Sequence, residues 1–548
     1  MVRRLRSPAM ALLVLLTCLA AAQEAGTDPV TVGTAACGIW APELHELHVR
    51  IPLTIRAALG DDVFSPRQVL VDGAKPTHAF WMFDGTPFDY EAIARASQCR
   101  KIEVFVPLFW RGGERHAVEL KYVYGGREFT QSVTVETPAG SGAWARAAGP
   151  GNATFRVVEE YGLARMHEIV EFDVVVETSA FPDAVGRVRA TRMEAATHRE
   201  IPCQTYAVEA PGRGALIRFR AAVPLTVPVG GVVTVCLWNV ADAAPAAPSA
   251  GPLERRVEAD AEIVENAFYS IRMSPLSGQF MTWDDKALKT RFDYVDPRKL
   301  EESARVINRT PDVYRPGTTW SHALDWKTGE YQRVMIRGPV FLETIRWGKL
   351  PFLEEFSGKV QYRFEAGRGA VSMSSVLSVD RDTTILAFRN GGISLTPSLF
   401  THAAWPRQNG EVVKLPLTEA QGNDTGSPSA SRMSVDTPWV ALYHVTNRTG
   451  IALLTTRLAY YHKGGHHPNT SRMQSYVSVY RGYTVYTIRS MNQTYCANIR
   501  SLPVPVKAGT ELYEAMVFVP FTMRDEPDPF FEVTDEYRRR MNPLVVTP

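Results

Sequence analysis

The chain has 548 residues, of which 60 are Lys or Arg and 58 are Asp or Glu, so its formal net charge is +2. A near-neutral chain without a charged tail lacks the basic surface that nucleic-acid binding requires, and we expect no nucleic-acid partner. A hydrophobic content of 45% is ordinary for chains that bury a core. The length suits about three domains.

Residues 1–22 have the pattern of a secretory signal peptide. Three arginines precede position 7, an apolar run covers 9–19, and three alanines follow. This order is typical of a cleavable signal, and the run is too short to span a bilayer. We predict a secreted or extracytoplasmic protein that begins near Gln23 and has no membrane span. A retained anchor and a lipoprotein acylated at Cys18 are the alternatives.

Five cysteines remain beyond this segment. Their positions suggest two disulfide bonds, Cys37–Cys99 and Cys203–Cys236, each inside one predicted domain. An oxidising compartment permits such bonds, although spacing does not prove the pairing. Cys496 is left over, and we interpret it as a buried lone thiol rather than a nucleophile.

Six of the twelve asparagines head an Asn-x-Ser/Thr triplet without a central proline, against about one or two expected by chance. These candidate glycosylation sites are Asn152, Asn308, Asn423, Asn447, Asn469 and Asn492. Either a eukaryotic secretory pathway attaches glycans here, or turn composition has enriched Asn and Thr together.

Two segments rich in Ala, Pro, Gly and Ser indicate linkers, at 137–153 and 241–252. They divide the mature chain into an N-terminal β-sandwich (23–140), a small β domain (154–240) and a large β super-sandwich (257–548).

Apolar residues recur at alternate positions over 102–108, 118–124, 170–176 and 360–364, and Gly-Gly turns separate many such runs. A period of two is typical of strands with one buried face, and many short strands with regular turns favour antiparallel sandwiches or barrels. We predict an all-β protein with an Ig-like N-terminal sandwich, a small β-barrel or sandwich, a large antiparallel sandwich and few short helices.

Parts of the chain resemble a known family. The segments ENAFYSIRMSPLSGQFMTWDDK (265–286), GPVFLETIRWG (338–348) and KVQYRFEAGRGAVSMSSVLSVDRD (359–382) are similar to galactose-mutarotase-like super-sandwich domains. The segment EEYGLARMHEIVEFDVVV (159–176) resembles the small barrel that precedes such a sandwich in exo-acting rhamnogalacturonan lyases and their bacterial relatives. The resemblance implies a carbohydrate context, since these sandwiches occur in polysaccharide lyases, glycosidases and sugar epimerases. No catalytic residue of the family aligns, and a fold alone does not give a function.

The densest candidate site is RLAYYHKGGHHPNTSRM (457–473), which its glycines and proline mark as a loop. Loops carry functional residues on β scaffolds. The candidate catalytic residues are His462, His466, His467, Tyr461, Arg457 and Arg472. A solvated polar loop around the sequon at Asn469 is the alternative interpretation.

These residue types suit β-elimination at a uronic acid. A base removes the proton beside the carboxylate, a cation offsets the developing charge, and an acid protonates the leaving oxygen. We assign the base to His466 or His467, the acid to Tyr461 and the cation to Arg457 or Arg472. The three histidines could also bind a divalent metal, but without a fixed carboxylate they make a weak zinc pattern, and no cofactor is predicted.

Two further clusters suggest sugar contacts, because aromatic faces stack on sugar rings and Arg binds carboxylates. Packing of the tryptophans in the core is the alternative. The candidate substrate-binding residues are His402, Trp405 and Arg407, Tyr443 and His444 on a flanking strand, and Trp320 and Trp326.

Three functions remain open. The first is a polysaccharide lyase acting on an acidic polysaccharide, which requires the histidine-rich turn to overhang a sugar-sized hollow. The second is a non-catalytic carbohydrate-binding or cell-surface protein, and the third is a glycoside hydrolase or epimerase-like enzyme. The sequence identifies neither the polysaccharide nor the oligomeric state.

Overall fold

The structure is a computed structural model. It describes residues 30–41, 46–55, 64–74, 76, 79–83, 86–87, 102–108, 115–136, 144–145, 152–177, 181, 187–194, 197–209, 216–239, 252–294, 306–308, 311–315, 320–407, 409–422, 431–434, 437–461, 474–480, 484–491 and 504–547. These residues form an almost entirely β structure in which antiparallel pairing dominates, which confirms the predicted fold class.

The first part of the chain forms two sheets. One has the strand order β1-β3-β7-β5-β6, with β2 also on β3, and the other has the order β4-β8-β9. Buried side chains from both sheets form one core, which includes Val104 and Tyr122. The strands are β1 (Val30–Val32), β2 (Ala36–Ala41), β3 (Glu46–Ile55), β4 (Phe64–Val71), β5 (Phe80–Phe83), β6 (Thr86–Pro87), β7 (Ile102–Leu108), β8 (Arg115–Tyr124) and β9 (Arg127–Glu136).

The second part is a sandwich rather than a barrel in the residues described. Its strands are β10 (Trp144–Ala145), β11 (Asn152–Val158), β12 (Arg165–Glu177), β13 (Val188–Glu194), β14 (Thr197–Ile201), β15 (Gln204–Glu209), β16 (Leu216–Val227) and β17 (Val232–Asn239). The sheet β10-β12-β16-β15 packs on the sheet that contains β14-β13-β17-β11.

The third part holds the remaining large sheets. Its strands are β18 (Glu254–Val257), β19 (Glu262–Glu265), β20 (Tyr269–Met273), β21 (Phe280–Asp285), β22 (Thr290–Asp293), β23 (Asp312–Tyr314), β24 (Trp320–His322), β25 (Tyr331–Arg337), β26 (Phe341–Leu350), β27 (Leu353–Glu365), β28 (Val371–Val379), β29 (Thr383–Ile385), β30 (Ala387–Leu395), β31 (His402–Pro406), β32 (Val412–Pro416), β33 (Gln421–Gly422), β34 (Arg432–Met433), β35 (Trp439–His444), β36 (Thr449–Tyr461), β37 (Gln474–Tyr480), β38 (Thr484–Met491), β39 (Val504–Val506) and β40 (Glu511–Thr522).

A nine-stranded sheet positions the candidate site. Its order is β25-β26-β27-β28-β40-β36-β35-β31-β32, entirely antiparallel in the registers observed. Along β27, Phe356, Val360, Tyr362 and Phe364 point into the large core. The seven-stranded sheet of β23, β24, β30, β33, β34, β37 and β38 and the five-stranded sheet β18–β22 also contribute to this core. Because side chains alternate along a strand, the residues between them face outward.

One α-helix lies in the described residues, α1 (Phe531–Met541). Val533 of this helix is fully buried against the outward face of the nine-stranded sheet, in a cluster with Tyr443 and Phe521. The chain then returns to the second part, where β41 (Val545–Thr547) pairs with β11. No helix among the described residues is long and apolar enough to cross a membrane.

The predicted Cys203–Cys236 bond is wrong, since both cysteines are free thiols. Cys236 lies on β17, and β13 separates that strand from β14, after which Cys203 follows. Two strand spacings are about 10 Å, beyond the Cα separation of about 7 Å that a disulfide spans. Burial raises the pKa of the Cys203 thiol to about 12. Cys99 and Cys496 lie outside the described residues, as does the side chain of Cys37.

The predicted glycan at Asn308 is also wrong. Its side chain is fully buried, accepts from the Phe280 backbone at 2.9 Å and donates to the Tyr362 hydroxyl. A glycan cannot attach to a side chain enclosed in the core. Asn447 is exposed. The side chain of Asn152 and the sites Asn423, Asn469 and Asn492 lie outside the described residues.

Candidate functional site

A groove of about 520 Å³ crosses the outward face of the nine-stranded sheet at one end. Its lining consists of residues 329–332, 347–349 and 357–359 together with Val376, Ser378 and Glu511. We call it the outer groove. It spans β25, β26, β27, β28 and β40, so it is built on paired strands rather than on loops.

The floor of the outer groove carries a tryptophan beside a lysine. Successive cross-strand partners form one row, which we call the tryptophan row: Gln332, Trp347, Lys359, Val376 and Tyr513. Cross-strand partners have Cβ atoms about 5 Å apart on the same face. Trp347 and Lys359 are both half-buried, which leaves part of the indole and of the ammonium accessible from the groove.

Lys349 and Lys359 are the two lysines that line the outer groove, and they differ in their contacts. Among the described residues the Lys359 ammonium makes neither a hydrogen bond nor an ion pair. Lys349, which also lines the groove, binds Asp380 at 2.7 Å. The groove floor therefore offers one cation that a negatively charged ligand can engage without breaking an existing contact of the described chain.

A second row runs parallel to the first, and we call it the serine row. It consists of Lys349, Ser357, Ser378, Glu511 and Tyr461 as successive partners. The small serines leave the middle of the sheet open, because their side chains fill little of the space above the strands. The Tyr461 side chain lies outside the described part, but its register position adjoins Glu511 at the edge of the groove.

The two glutamates that line the groove are far apart. Glu330 and Glu511 are separated by four strand spacings, about 19 Å between backbones, whereas paired glycosidase carboxyls lie about 5 to 9.5 Å apart. The Glu330 carboxylate also accepts from the Lys327 backbone at 2.9 Å and so closes its own turn. These two residues do not form a hydrolytic pair.

The first five residues of the predicted catalytic loop, 457–461, are the end of strand β36 rather than a loop. β36 ends at Tyr461, and His462, His466, His467 and Arg472 follow it outside the described residues. Their assignment as base or clamp remains a prediction.

Arg457 is not in the groove. It is 4% exposed and lies 6.0 Å from the Tyr513 ring centre. It lines a separate cavity of about 160 Å³, the junction cavity, where the first part, the second part, the nine-stranded sheet and the end of α1 meet. The cations that line the outer groove are Lys349 and Lys359, not Arg457.

Arginines that line the junction cavity form ion pairs with carboxylates, and these pairs serve the packing of the protein. Its charged lining residues are Arg50, Glu103, Glu168, Arg363, Glu365, Arg368, Arg457, Arg539 and Arg540. Carboxylates behind the wall balance the excess arginines: Arg363 binds Glu171 at 3.1 Å and Glu343 at 2.9 Å. Arg368 and Arg540 share Glu536 in the same way. Paired charges of this kind join the second part and the C-terminal helix to the nine-stranded sheet.

The predicted sugar platform at 400–407 is divided between two faces. Trp405 is 4% exposed and packs in the large core, because it points inward on β31. This corrects its assignment to substrate binding. Arg407 is exposed and pairs with Glu411 at 3.1 Å on the following turn.

His402 and Tyr443 do come together, as partners on β31 and β35 with ring centres 5.6 Å apart. Tyr443 is only 2% exposed and packs edge-on against Phe530, so it is a packing residue rather than a sugar contact. Burial raises the pKa of Tyr443 to about 12 and lowers that of His402. His444 accepts from the Asn447 backbone at 3.3 Å within a turn.

Tyr443 and Tyr461 lie near opposite ends of β36. Tyr443 pairs with Gly450 on β36, and Tyr461 lies eleven positions further along that strand. At about 3.3 Å per residue the separation is about 36 Å. Only the Tyr461 end adjoins the outer groove.

Trp326 is 1% exposed. Its indole donates to the Lys349 carbonyl at 2.7 Å and stacks on Tyr331. It supports the groove from below and does not contact a ligand, which corrects its predicted role. Trp320 lies in β24, and its side chain is outside the described residues.

Sequence reasoning missed Trp347 and Lys359. The signal was present in β27, where Ser357, Lys359 and Gln361 alternate with core residues, and in the outward-facing Trp347 of the strand before it. The described residues hold no cluster of three or more His, Cys, Asp or Glu that could bind a metal ion.

Comparisons with solved structures find distant likenesses. A glycosyl hydrolase family 38 protein from Enterococcus faecalis has 9% identity and a TM-score of 0.43 over 74% of this chain and 48% of that one. An α-N-acetylgalactosaminidase from Bifidobacterium bifidum has 9% identity and a TM-score of 0.33 over 51% and 38%. A galactose mutarotase-like protein from Lactobacillus casei has 12% identity and a TM-score of 0.27 over 48% and 100%.

The chain spans less than half the length of the first two structures. No protein-family profile matches this sequence, and no curated protein sequence matches it.

Proposed function

We propose that this is an exported carbohydrate-active protein that binds an acidic polysaccharide in the outer groove. The observation that carries the proposal is the cross-strand pair of Trp347 and Lys359, both half-buried on the floor of the outer groove. An indole face stacks on the apolar face of a sugar ring, while an adjacent ammonium attracts the carboxylate of a uronic acid.

The surroundings support an extended saccharide rather than a compact apolar ligand. Ser378 provides a hydroxyl group at the middle of the floor, and Glu511 lies at its end. The Ser357 hydroxyl donates to Asp380 at 2.6 Å and keeps its acceptor lone pairs. Sugar hydroxyls need such donors and acceptors, since each buried polar group requires a partner.

Binding is tested with purified protein and a panel of oligosaccharides from pectin, alginate and heparan sulfate in titration calorimetry. We expect at least one acidic ligand to bind, and Trp347→Ala to weaken that binding about tenfold or more, as loss of an aromatic anchor does. Trp238→Ala is the matched control, because Trp238 is half-buried on β17 in the second part, in a different sandwich from the groove. Equal affinity of the wild type and Trp347→Ala would reject the groove as the site.

A lyase activity is the catalytic form of this proposal. It is favoured by the register position of Tyr461 opposite Glu511, which brings the start of the histidine-rich segment to the groove. A lyase produces unsaturated uronates, whose absorbance rises as the polymer is cut. We expect His466→Ala or His467→Ala to abolish that rise and His198→Ala, on β14, to preserve it. Binding without any absorbance change would reject the lyase activity.

A further inference from the structure

The hairpin between β26 and β27 has an unusual residue at its tip. Pro351 and Phe352 form the turn, and Phe352 has a φ of +64°. Proline fixes its own φ near −65°, so the turn is of type II, which normally takes Gly or Asn at the second central position. A bulky side chain in the left-handed region is a genuine outlier.

The backbone of this turn is held in place. Leu350 and Leu353, which flank it, are 1% and 0% exposed in the large core. The hydroxyl of Ser321, a fully buried residue, donates to the Pro351 carbonyl. The tip therefore cannot relieve the strain at Phe352 by moving as a unit.

Packing does not compensate for this strain. The Phe352 side chain is 71% exposed and makes no aromatic ring contact with the described residues. Glycine at this position would remove both the backbone strain and the exposed apolar surface. Residues kept in strained backbone conformations cluster at ligand-binding positions.

The turn lies at the end of the outer groove. Lys349, three residues before Phe352, lines the groove, as does Trp347 two residues earlier. An extended strand rises about 3.3 Å per residue, so the backbones of Trp347 and Phe352 are at most about 17 Å apart. The aromatic surface of Phe352 thus extends the row of potential sugar contacts beyond the groove floor.

We propose that Phe352 is a second sugar platform, which makes the ligand a polysaccharide chain rather than a single sugar. This inference rests on the proposed function of the outer groove. A chain whose acidic unit lies on Trp347 and Lys359 continues past Lys349 and stacks a further ring on Phe352. Because the turn is rigid, this contact requires little reordering of the protein on binding.

The test measures the binding of six probes by titration calorimetry. They are a disaccharide and a hexasaccharide of each of three polymers: polygalacturonic acid, polymannuronic acid and heparan sulfate. We expect Phe352→Ala to bind the hexasaccharide about tenfold more weakly and the disaccharide as the wild type does. Trp347→Ala should weaken both. Phe352→Asn suits a left-handed φ, so it should lose the same affinity while its melting temperature stays equal to or above that of the wild type.

If the wild type binds, two results would overturn the proposed role of Phe352 and leave the proposed function of the outer groove intact. One is an unchanged hexasaccharide affinity in Phe352→Ala. The other is an equal loss of affinity for the disaccharide and the hexasaccharide in that variant. If the wild type binds none of the six probes, the proposed function fails and the second platform fails with it.

Discussion

Arg540 of α1 reaches Glu365 of β27 at 3.2 Å and so ties the C-terminal helix to the nine-stranded sheet. The same guanidinium also donates to Glu536 of its own helix at 2.8 Å. Neutralising one member of a buried ion pair leaves the other charge uncompensated, which is strongly destabilising. Protonation of the carboxylates in these ion pairs therefore makes the stability of the fold depend on pH.

We predict that the protein loses stability in acid. Burial by itself would raise the pKa of Glu536, but Arg368, Arg540 and Arg539 outweigh it and lower the pKa from about 4.5 to about 2. A carboxylate whose folded pKa is depressed stabilises the fold above its unfolded pKa, and this contribution disappears as the pH falls towards 2. The loss for Glu536 is about 3 kcal/mol.

Denaturant unfolding at a series of pH values from 6 to 2 measures this dependence. We expect Glu536→Gln to be less stable at neutral pH and to show a flatter fall in unfolding free energy between the two pKa values. An unchanged slope in that variant would show that Glu536 does not titrate as described.

The second prediction concerns Gly278. It has a φ of +74°, and a Cβ there would overlap the guanidinium of Arg346, which is 1% exposed and paired with Glu262. Gly278→Ala should cost about 3 kcal/mol or more, because it displaces a buried charge from its partner. Gly73→Ala is the control, since Gly73 has a φ of +79° with open space around it. That variant should lose only about 1 to 2 kcal/mol, the cost of placing a Cβ in the left-handed region, and equal losses in the two variants would contradict the overlap.

The third prediction concerns the sequons. Asn308→Gln should leave the glycan mass of protein made in a eukaryotic secretory host unchanged and should lower the melting temperature. The longer side chain cannot keep the bonds to Phe280 and Tyr362 in the core. Asn447→Gln, at an exposed turn, should leave stability within about 0.5 kcal/mol. Mass spectrometry that finds a glycan on Asn308 of folded protein would contradict the buried position.

The fourth prediction concerns the cysteines. Peptide mapping without reduction should find no peptide that joins Cys203 to Cys236, because the strand order keeps them apart. Cys236 instead lies 3.6 Å from the Thr154 hydroxyl. Alkylation should modify both thiols only after denaturation, since one is buried and the other has a raised pKa. Recovery of a joined peptide from folded protein would refute this arrangement.

The fifth prediction addresses the charge of the outer groove. Lys359→Met should weaken binding of an acidic oligosaccharide about tenfold, as loss of a charged hydrogen bond does, and should reduce the dependence of affinity on salt. A carboxyl-reduced form of the same oligosaccharide should bind both proteins equally. Lys414→Met is the matched control. Lys414 lies on β32, at the opposite edge of the sheet from the groove, and pairs with Glu526. An equal loss on the reduced ligand would show that Lys359 does not recognise the carboxylate.

Local periodicity was sufficient to predict much of the architecture. The alternation along β27 places Phe356, Val360 and Tyr362 on one face and Ser357 and Lys359 on the other. A strand buried on one side needs this pattern whatever its neighbours are. The all-β class with few helices follows from the same short-range signals.

Long-range pairing decided the rest. Lys359 and Arg363 are polar residues on the same face of one strand, yet Lys359 lines the groove while Arg363 is buried against Glu171 of the second part. Trp405 and Trp347 are both strand tryptophans, yet one faces the core and the other the groove. The sequence by itself determined which positions alternate. Only the tertiary structure decided which outward face is covered, because that depends on strands and a helix hundreds of residues away in the chain.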